Sequence, residues 1–147
     1  MKWQAEAFWQ FSCHFYPPRK TTFIYLQDHY QLNVNLLLLA LFLDQHNSYI
    51  GQANWINLIE AISESELQIN QFRHRRRTAK TQQSPDYNML LQRELELEKA
   101  QQQLIIRQLN QFSLDIQSTV NNLHQYCLAT GVKDMFSITE ALDKLAS

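Results

Sequence analysis

The stretch NVNLLLLALFL at residues 33–43 contains the strongest apolar run of the chain, Leu36 to Leu43, and it decides the fold. Its apolar side chains cover nearly the whole circumference of a helix, which is typical of a helix buried on all sides. Even with its apolar neighbours the run reaches only about a dozen residues, whereas a membrane-spanning helix needs about 20. We therefore predict a central core helix at 34–45, capped by the side chain of Asn33 or Asn35.

The composition favours a single all-α domain over residues 1–147. Of the 147 residues, 45% are apolar and 18% are charged, and only two are glycine and three proline. An all-β chain needs a turn about every 8–12 residues, and glycine and proline are the usual turn residues, so five are too few. The formal net charge of −1 gives no global field that would attract nucleic acid or an anionic membrane.

Apolar spacing divides the rest of the chain into further helices. Side chains between Trp3 and Tyr16 recur on one helical face, and Pro17-Pro18 ends that helix. Gly131 has the position of a helix C-cap. The remaining helices are predicted at about residues 21–30, 55–62, 64–80, 85–112, 116–127 and 137–145.

Helix-start signals support three of these helices. Ser63 and Glu66 have capping-box spacing, as do Ser137 and Glu140, and Ser84 is a hydroxyl cap followed by proline. The fold class is therefore an all-α bundle of about seven to eight helices around helix 34–45. In this bundle the long helix 85–112 is expected to lie antiparallel to helix 64–80.

The chain shows no targeting signal that we recognise. The stretch Met1–Glu6 carries an acid and no apolar core, so we expect no signal peptide. Two cysteines cannot form a disulfide framework. We expect a cytoplasmic protein.

Several motifs in the first two thirds of the chain are specific in combination. They are Trp3, then Phe8, Trp9, Phe11, Ser12 and Tyr16, then Leu26 to Asp28, Asn33 to Leu38, Phe72, Arg73, Arg76 and Lys80, and Glu94 to Glu98. Over about residues 3–98 they resemble a bacterial helical family catalogued as domain of unknown function number twenty-three ninety. The resemblance implies one cytoplasmic all-α domain and brings no established activity. The chain departs from the family pattern at Arg75, usually apolar, and at Ala79, often aromatic.

A basic stripe stands out in the helix predicted at 64–80. Arg73, Arg76, Arg77 and Lys80 fall at i, i+3, i+4 and i+7, so that four cations share one face. Like charges at this spacing repel, which calls for an anionic partner. In an antiparallel hairpin with helix 85–112, Glu94 would lie opposite Arg73 as a structural ion pair and within diagonal reach of Arg76. Arg77 and Lys80 would have no internal partner.

The basic stripe supports two binding functions. We predict a non-enzymatic interaction or adaptor protein that binds an acidic protein partner through Arg73, Arg76, Arg77 and Lys80. The alternative is binding of RNA or a ribonucleoprotein, in which the same side chains contact phosphates. A third interpretation is purely structural, with a solvated or internally paired face.

Asp28 and His29 offer a less favoured, enzymatic interpretation. They precede the central helix, and a desolvated aspartate there would have a raised pKa. A helix terminus needs such polar groups in any case, so capping explains them as well. We assign no catalytic residue and no cofactor.

Two further sets of residues are candidate sites. Phe8 and Trp9 point about 100° apart on the first helix, so one of them could lie at the edge of the buried face as an aromatic interface. His124 and Cys127 have an i, i+3 spacing that could contribute to a zinc site with Cys13 or His14. Cys127 falls on an apolar stripe, which favours a core thiol, and we expect no metal.

Overall fold

Eight α-helices and one short 3-10 turn form the described part of the chain, which in the computed structural model comprises residues 2–113, 121–132 and 135–147 (backbone alone at 135 and 136). The prediction of an all-α fold is confirmed. The 3-10 turn, Pro17–Arg19, lies between the first two helices. The helices are α1 (Ala5–Phe15), α2 (Lys20–Tyr30), α3 (Val34–Gln45), α4 (Gln52–Ala61), α5 (Ser63–Thr81), α6 (Tyr87–Leu109), α7 (Asn122–Ala129) and α8 (Met135–Ala146).

Helix α3 is the centre of the hydrophobic core, as its sequence predicts. Every residue from Asn35 to Leu43 is buried, and α3 packs against α1, α2, α6 and α7. The Asn33 side chain caps the helix by accepting a hydrogen bond from the Leu36 N–H at 2.8 Å. A backbone N–H group in the first turn of α3 thus has its hydrogen-bond partner within the protein.

Helices α5 and α6 form the antiparallel hairpin that the sequence predicts. The turn between them begins with a hydrogen bond from the Ser84 N–H to the Ala79 carbonyl at 2.8 Å. Helix α6 is shorter than predicted, because Ser84 caps a turn by accepting from the Asp86 N–H and the helix begins at Tyr87. Its 23 residues still span about 35 Å at 1.5 Å per residue.

Both predicted capping boxes are wrong. Ser63 is the first residue of α5 and makes no capping bond, because α4 leads almost directly into α5. The Ile62 carbonyl accepts from the Glu66 N–H at 2.8 Å, and the Ser63 hydroxyl donates back to Glu60. Ser137 lies inside α8, two residues after its start.

The first helix corrects one predicted interface residue. Phe8 is fully buried, with its ring centroid 5.3 Å from that of Phe42, so it belongs to the core because its face of α1 packs on α3. Trp9 is half-buried, and Nζ of Lys99 lies 5.5 Å from its ring centroid. The helix begins at Ala5, two residues later than predicted, while Trp3 is held by two hydrogen bonds with the Asn110 side chain.

Helix α7 is described from Asn122 onward. The predicted helix residues Ile116 and Val120 lie outside the described residues. Asn121 caps α7 by accepting from the His124 N–H, and Gly131 follows its end with a φ of +80°. That left-handed conformation favours glycine, as the predicted C-cap requires.

Candidate functional site

The cations of α5 separate into two groups, and the first group faces α6. Arg76 donates a hydrogen bond from Nε to Oε1 of Glu94, and Nε of Arg73 lies 3.6 Å from Oε2 of the same carboxylate. The Glu94 side chain is only 7% exposed, against 18% for Arg76 and 14% for Arg73. Two of the four stripe cations therefore serve the α5–α6 seam, where a buried carboxylate requires them.

Glu98 lies one turn beyond Glu94 and shares Arg73 with it. Its Oε1 is 3.9 Å from Nη2 of Arg73, at the outer limit of an ion pair. Burial and the negative charge of Glu94 raise the pKa of Glu98 to about 7, although the two arginines oppose this shift. Burial, followed by the charge of Glu98, also raises the pKa of Tyr16.

The second group of cations is exposed. Nη2 of Arg77 lies 3.5 Å from Oδ1 of Asp28 on α2, in a pair whose side chains are 50% and 43% exposed. The prediction that Arg77 has no internal partner is therefore wrong, because the fold places α2 beside this part of α5. Lys80 and Arg75 are exposed, and neither forms an ion pair with another described residue.

A cleft of about 330 Å³ lies between the C-terminal end of α2, the turn into α3, and α5. We call it the polar cleft; the lining residues used below are Asp28, Gln31, Asn70, Arg73, His74 and Arg77. Asn70, His74 and Arg77 fall at i, i+4 and i+7 on α5, so one helical face supplies that wall. Their N–H groups make this wall rich in hydrogen-bond donors.

Glu66 lies at the far end of the polar cleft. Burial raises the pKa of its carboxyl group, and its Oε2 is shielded from solvent without a hydrogen-bond partner among the described residues. Eleven residues separate Glu66 from Arg77 in the sequence, which corresponds to about 16 Å along the helix axis. The Arg77 end of the cleft is thus remote from this carboxylate, whereas Asn70 lies only one helical turn from it.

His29 does not join Asp28 in the lining of the polar cleft. Its Nδ1 is 3.2 Å from the Tyr25 carbonyl, to which it is placed to donate, and its ring lies 4.4 Å from the Tyr25 ring, centroid to centroid. Asp28 instead faces Arg77. The two residues are therefore not brought together as an acid–base pair.

A buried polar network behind the cleft was missed in the sequence. The Asn35 side chain donates to Oε1 of Gln101 at 2.9 Å and accepts from Nε2 of Gln102 at 3.0 Å. Gln102 also donates to the Ser12 hydroxyl, and Gln101 to that of Ser65. The run of glutamines in the middle of α6 was the sequence signal for this network. Buried glutamine side chains are stable when they are hydrogen-bonded, so the run was as compatible with burial as with exposure.

The fold does not bring together the candidate zinc ligands Cys13, His124 and Cys127. Cys13 is exposed on α1, whereas Cys127 is buried, and burial raises the pKa of its thiol to about 12. His124 is engaged with the Asn121 side chain, 2.7 Å away. Among the described residues, no cluster of three His, Cys, Asp or Glu side chains could hold a metal ion.

A second, less polar groove lies on the outer face of α6. Its volume is about 410 Å³, and Leu91 and Leu95 line it with 42% and 44% of their surface exposed.

Among the helices that the structure describes, none has both the length and the apolar content to cross a bilayer.

Comparison with known protein families places most of the chain in a family model. Residues 7–105 match the family model described as "Protein of unknown function (DUF2390)". The matched segment contains the polar cleft, the stripe cations and both carboxylates of the α5–α6 seam. Among curated proteins and solved structures, none matches the chain.

Proposed function

This chain belongs to the DUF2390 family, whose model covers well over half of it, and on that premise we propose that it is a non-enzymatic interaction protein for an acidic protein partner. The partner binds the exposed basic surface of α5, which we define as Arg77 and Lys80. Arg73 and Arg76 belonged to the stripe predicted from the sequence, but Glu94 engages both. Arg73 and Arg76 therefore hold α5 against α6 and are not part of the proposed binding surface.

The observation that carries this proposal is the exposure of Arg77 and Lys80 on one face of α5. They lie three residues apart and therefore about 60° apart around the helix, within reach of one anionic surface. An exposed pair such as Arg77 with Asp28 contributes only about 0–1 kcal/mol to folding, so stability is a weak reason for this charge. An external acidic group is the better explanation.

Catalysis is the less favoured function, because Asp28 pairs with a cation and His29 contacts Tyr25 and does not line the cleft. We place the proposed interaction in the cytoplasm of a bacterial cell, in line with the family resemblance of the sequence.

The test is capture of partners from a cell lysate by the wild type and by the double variant R77Q/K80Q. The matched control is R75Q/R93Q, which removes the same charge from two exposed arginines outside the proposed surface. We expect acidic proteins, identified by mass spectrometry, to be lost with R77Q/K80Q and retained with R75Q/R93Q and after nuclease treatment. Equal capture by both double variants would refute the proposal, and loss on nuclease treatment would indicate RNA instead.

A further inference from the structure

We propose that a carboxylate side chain of the acidic partner enters the polar cleft and binds Arg77 and His74 in the place that Asp28 occupies in the unbound protein. This inference rests on the proposed function and adds the binding site, the group recognised, and an internal competitor for it.

The contact between Arg77 and Asp28 leaves the guanidinium largely unused. Their closest approach, 3.5 Å from Nη2 to Oδ1, is an ion pair without a hydrogen bond. A guanidinium carries five N–H donors in a planar fork, and none of those of Arg77 is hydrogen-bonded to another described residue. A carboxylate that can approach freely binds such a fork through two parallel hydrogen bonds, which is a stronger contact.

The same wall of the cleft offers further donors to an incoming carboxylate. His74 is exposed and lines the cleft one turn before Arg77. Asn70 accepts from Arg73 through Oδ1, so its amide N–H groups remain available. Apart from Asp28, the acid that lines the cleft is Glu66, which lies one helical turn from Asn70 but eleven residues from Arg77, so its repulsion of an incoming carboxylate is smallest beside Arg77.

Within α2, the Asp28 side chain makes one exposed contact, in which its Oδ1 accepts a hydrogen bond from Nε2 of Gln27 at 3.4 Å. Asp28 lies in the last turn of that helix, where the negative end of the helix dipole disfavours an acid. Its side chain is 43% exposed, and an exposed ion pair opens at little cost. Asp28 therefore fits the role of a weak internal substitute for the partner's carboxylate.

The test measures the Kd of fluorescein-labelled hexaglutamate for the full chain by fluorescence polarisation. D28N removes the competitor, and we expect it to lower Kd by roughly two- to fivefold, the free energy of an exposed ion pair expressed as a ratio. The matched control is E96Q, which changes the net charge equally and breaks the equally exposed pair of Arg93 with Glu96. R77Q should raise Kd by about fivefold or more and should cancel the gain in D28N/R77Q.

Equal Kd values for D28N and E96Q would overturn the inference, since the gain would then reflect net charge alone. If R77Q/K80Q still weakens binding in that case and R75Q/R93Q does not, the proposed function survives without the cleft. If neither double variant weakens binding, the proposed function fails as well. A gain in D28N for labelled hexauridylate but not for hexaglutamate would also overturn the inference. Circular dichroism confirms that each variant is folded.

Discussion

Arg76 donates a hydrogen bond to Glu94 across the α5–α6 seam, and the Glu94 carboxylate is almost completely shielded from solvent. Arg73 approaches the same carboxylate from the next turn of α5. The longest hairpin of the fold is thus held by a partly buried ionic cluster. Leaving a buried charge without its partner is costly, whereas exposed pairs contribute little.

The first prediction concerns this cluster. E94Q leaves the partly buried Arg76 without its counter-charge and Arg73 with only the more distant Glu98, and we expect it to lower the free energy of unfolding by about 2–4 kcal/mol. The measurement is urea denaturation followed by circular dichroism. E96Q serves as the control, because Glu96 forms an exposed pair, and should cost less than about 1 kcal/mol. Equal effects of the two variants would show that the seam does not depend on Glu94.

The second prediction concerns the pH dependence of stability. The pKa of Glu98 is about 7 in the folded protein and has its ordinary lower value when unfolded. Between these values the folded state binds more protons, so the free energy of unfolding should fall as pH rises from about 5 to 7.5. E98Q, which resembles the protonated form, should reduce this slope and stabilise the protein at pH 8 by about 1 kcal/mol, a value discounted for the partial exposure of Glu98.

The measurement is a series of urea denaturation curves across that pH range. Burial also raises the pKa values of Glu66 and Asp44, so E98Q should leave part of the slope in place. Identical slopes for wild type and E98Q would contradict the assignment of the titration to Glu98.

The third prediction concerns Asn122, which joins α7 to the end of α3. Its amide donates to Asp44 at 2.7 Å and to the Ser48 carbonyl at 2.8 Å, and its oxygen accepts from the Ile50 N–H at 3.2 Å. N122A removes the partners of the buried Ser48 carbonyl and Ile50 N–H and leaves Asp44, among the described residues, with only the bond from the Asn122 backbone N–H, and we expect a loss of about 2–3 kcal/mol in the free energy of thermal or urea unfolding. N88A, at an exposed position of α6, should stay within about 0.5 kcal/mol of wild type. A small effect of N122A would mean that water replaces its bonds.

The fourth prediction concerns the two thiols. Cys13 is exposed, whereas the buried Cys127 has a pKa raised to about 12 and holds little reactive thiolate at neutral pH. Titration with a chromogenic disulfide reagent should therefore detect one thiol per native chain and two after denaturation. C13S should abolish the native signal. A residual signal in native C13S would show that solvent reaches Cys127.

The helices and their pairing follow from local sequence patterns, which explains why they could be predicted. The apolar run of α3 is stable only when it is buried in the core. Asn33 caps this helix, as the sequence predicted. The antiparallel register of α5 and α6 placed Arg73 opposite Glu94 because a short turn fixes that register. The start of α5 was predicted to within one residue, but the capping role of Ser63 was wrong, because Ser63 follows another helix almost without a break.

The candidate site was only half visible in the sequence. Asp28 and Arg77 are 49 positions apart, and no periodicity shows that α2 lies beside α5. The buried glutamines of α6 were equally hidden, because their burial depends on Asn35 from a distant helix. Long-range polar pairs depend on tertiary packing, which a single sequence does not encode in any local pattern.

The most direct measurement is a titration of the ¹⁵N-labelled full chain with hexaglutamate, followed by amide chemical shifts. We expect the shift changes to concentrate on the α5 wall of the polar cleft, at Asn70, His74 and Arg77, and on Gln31 of the same cleft. Shift changes centred on Arg75 and Arg93, or on the α6 groove at Leu91, would contradict binding at this surface. Unchanged spectra at millimolar peptide would contradict the binding of acidic partners altogether.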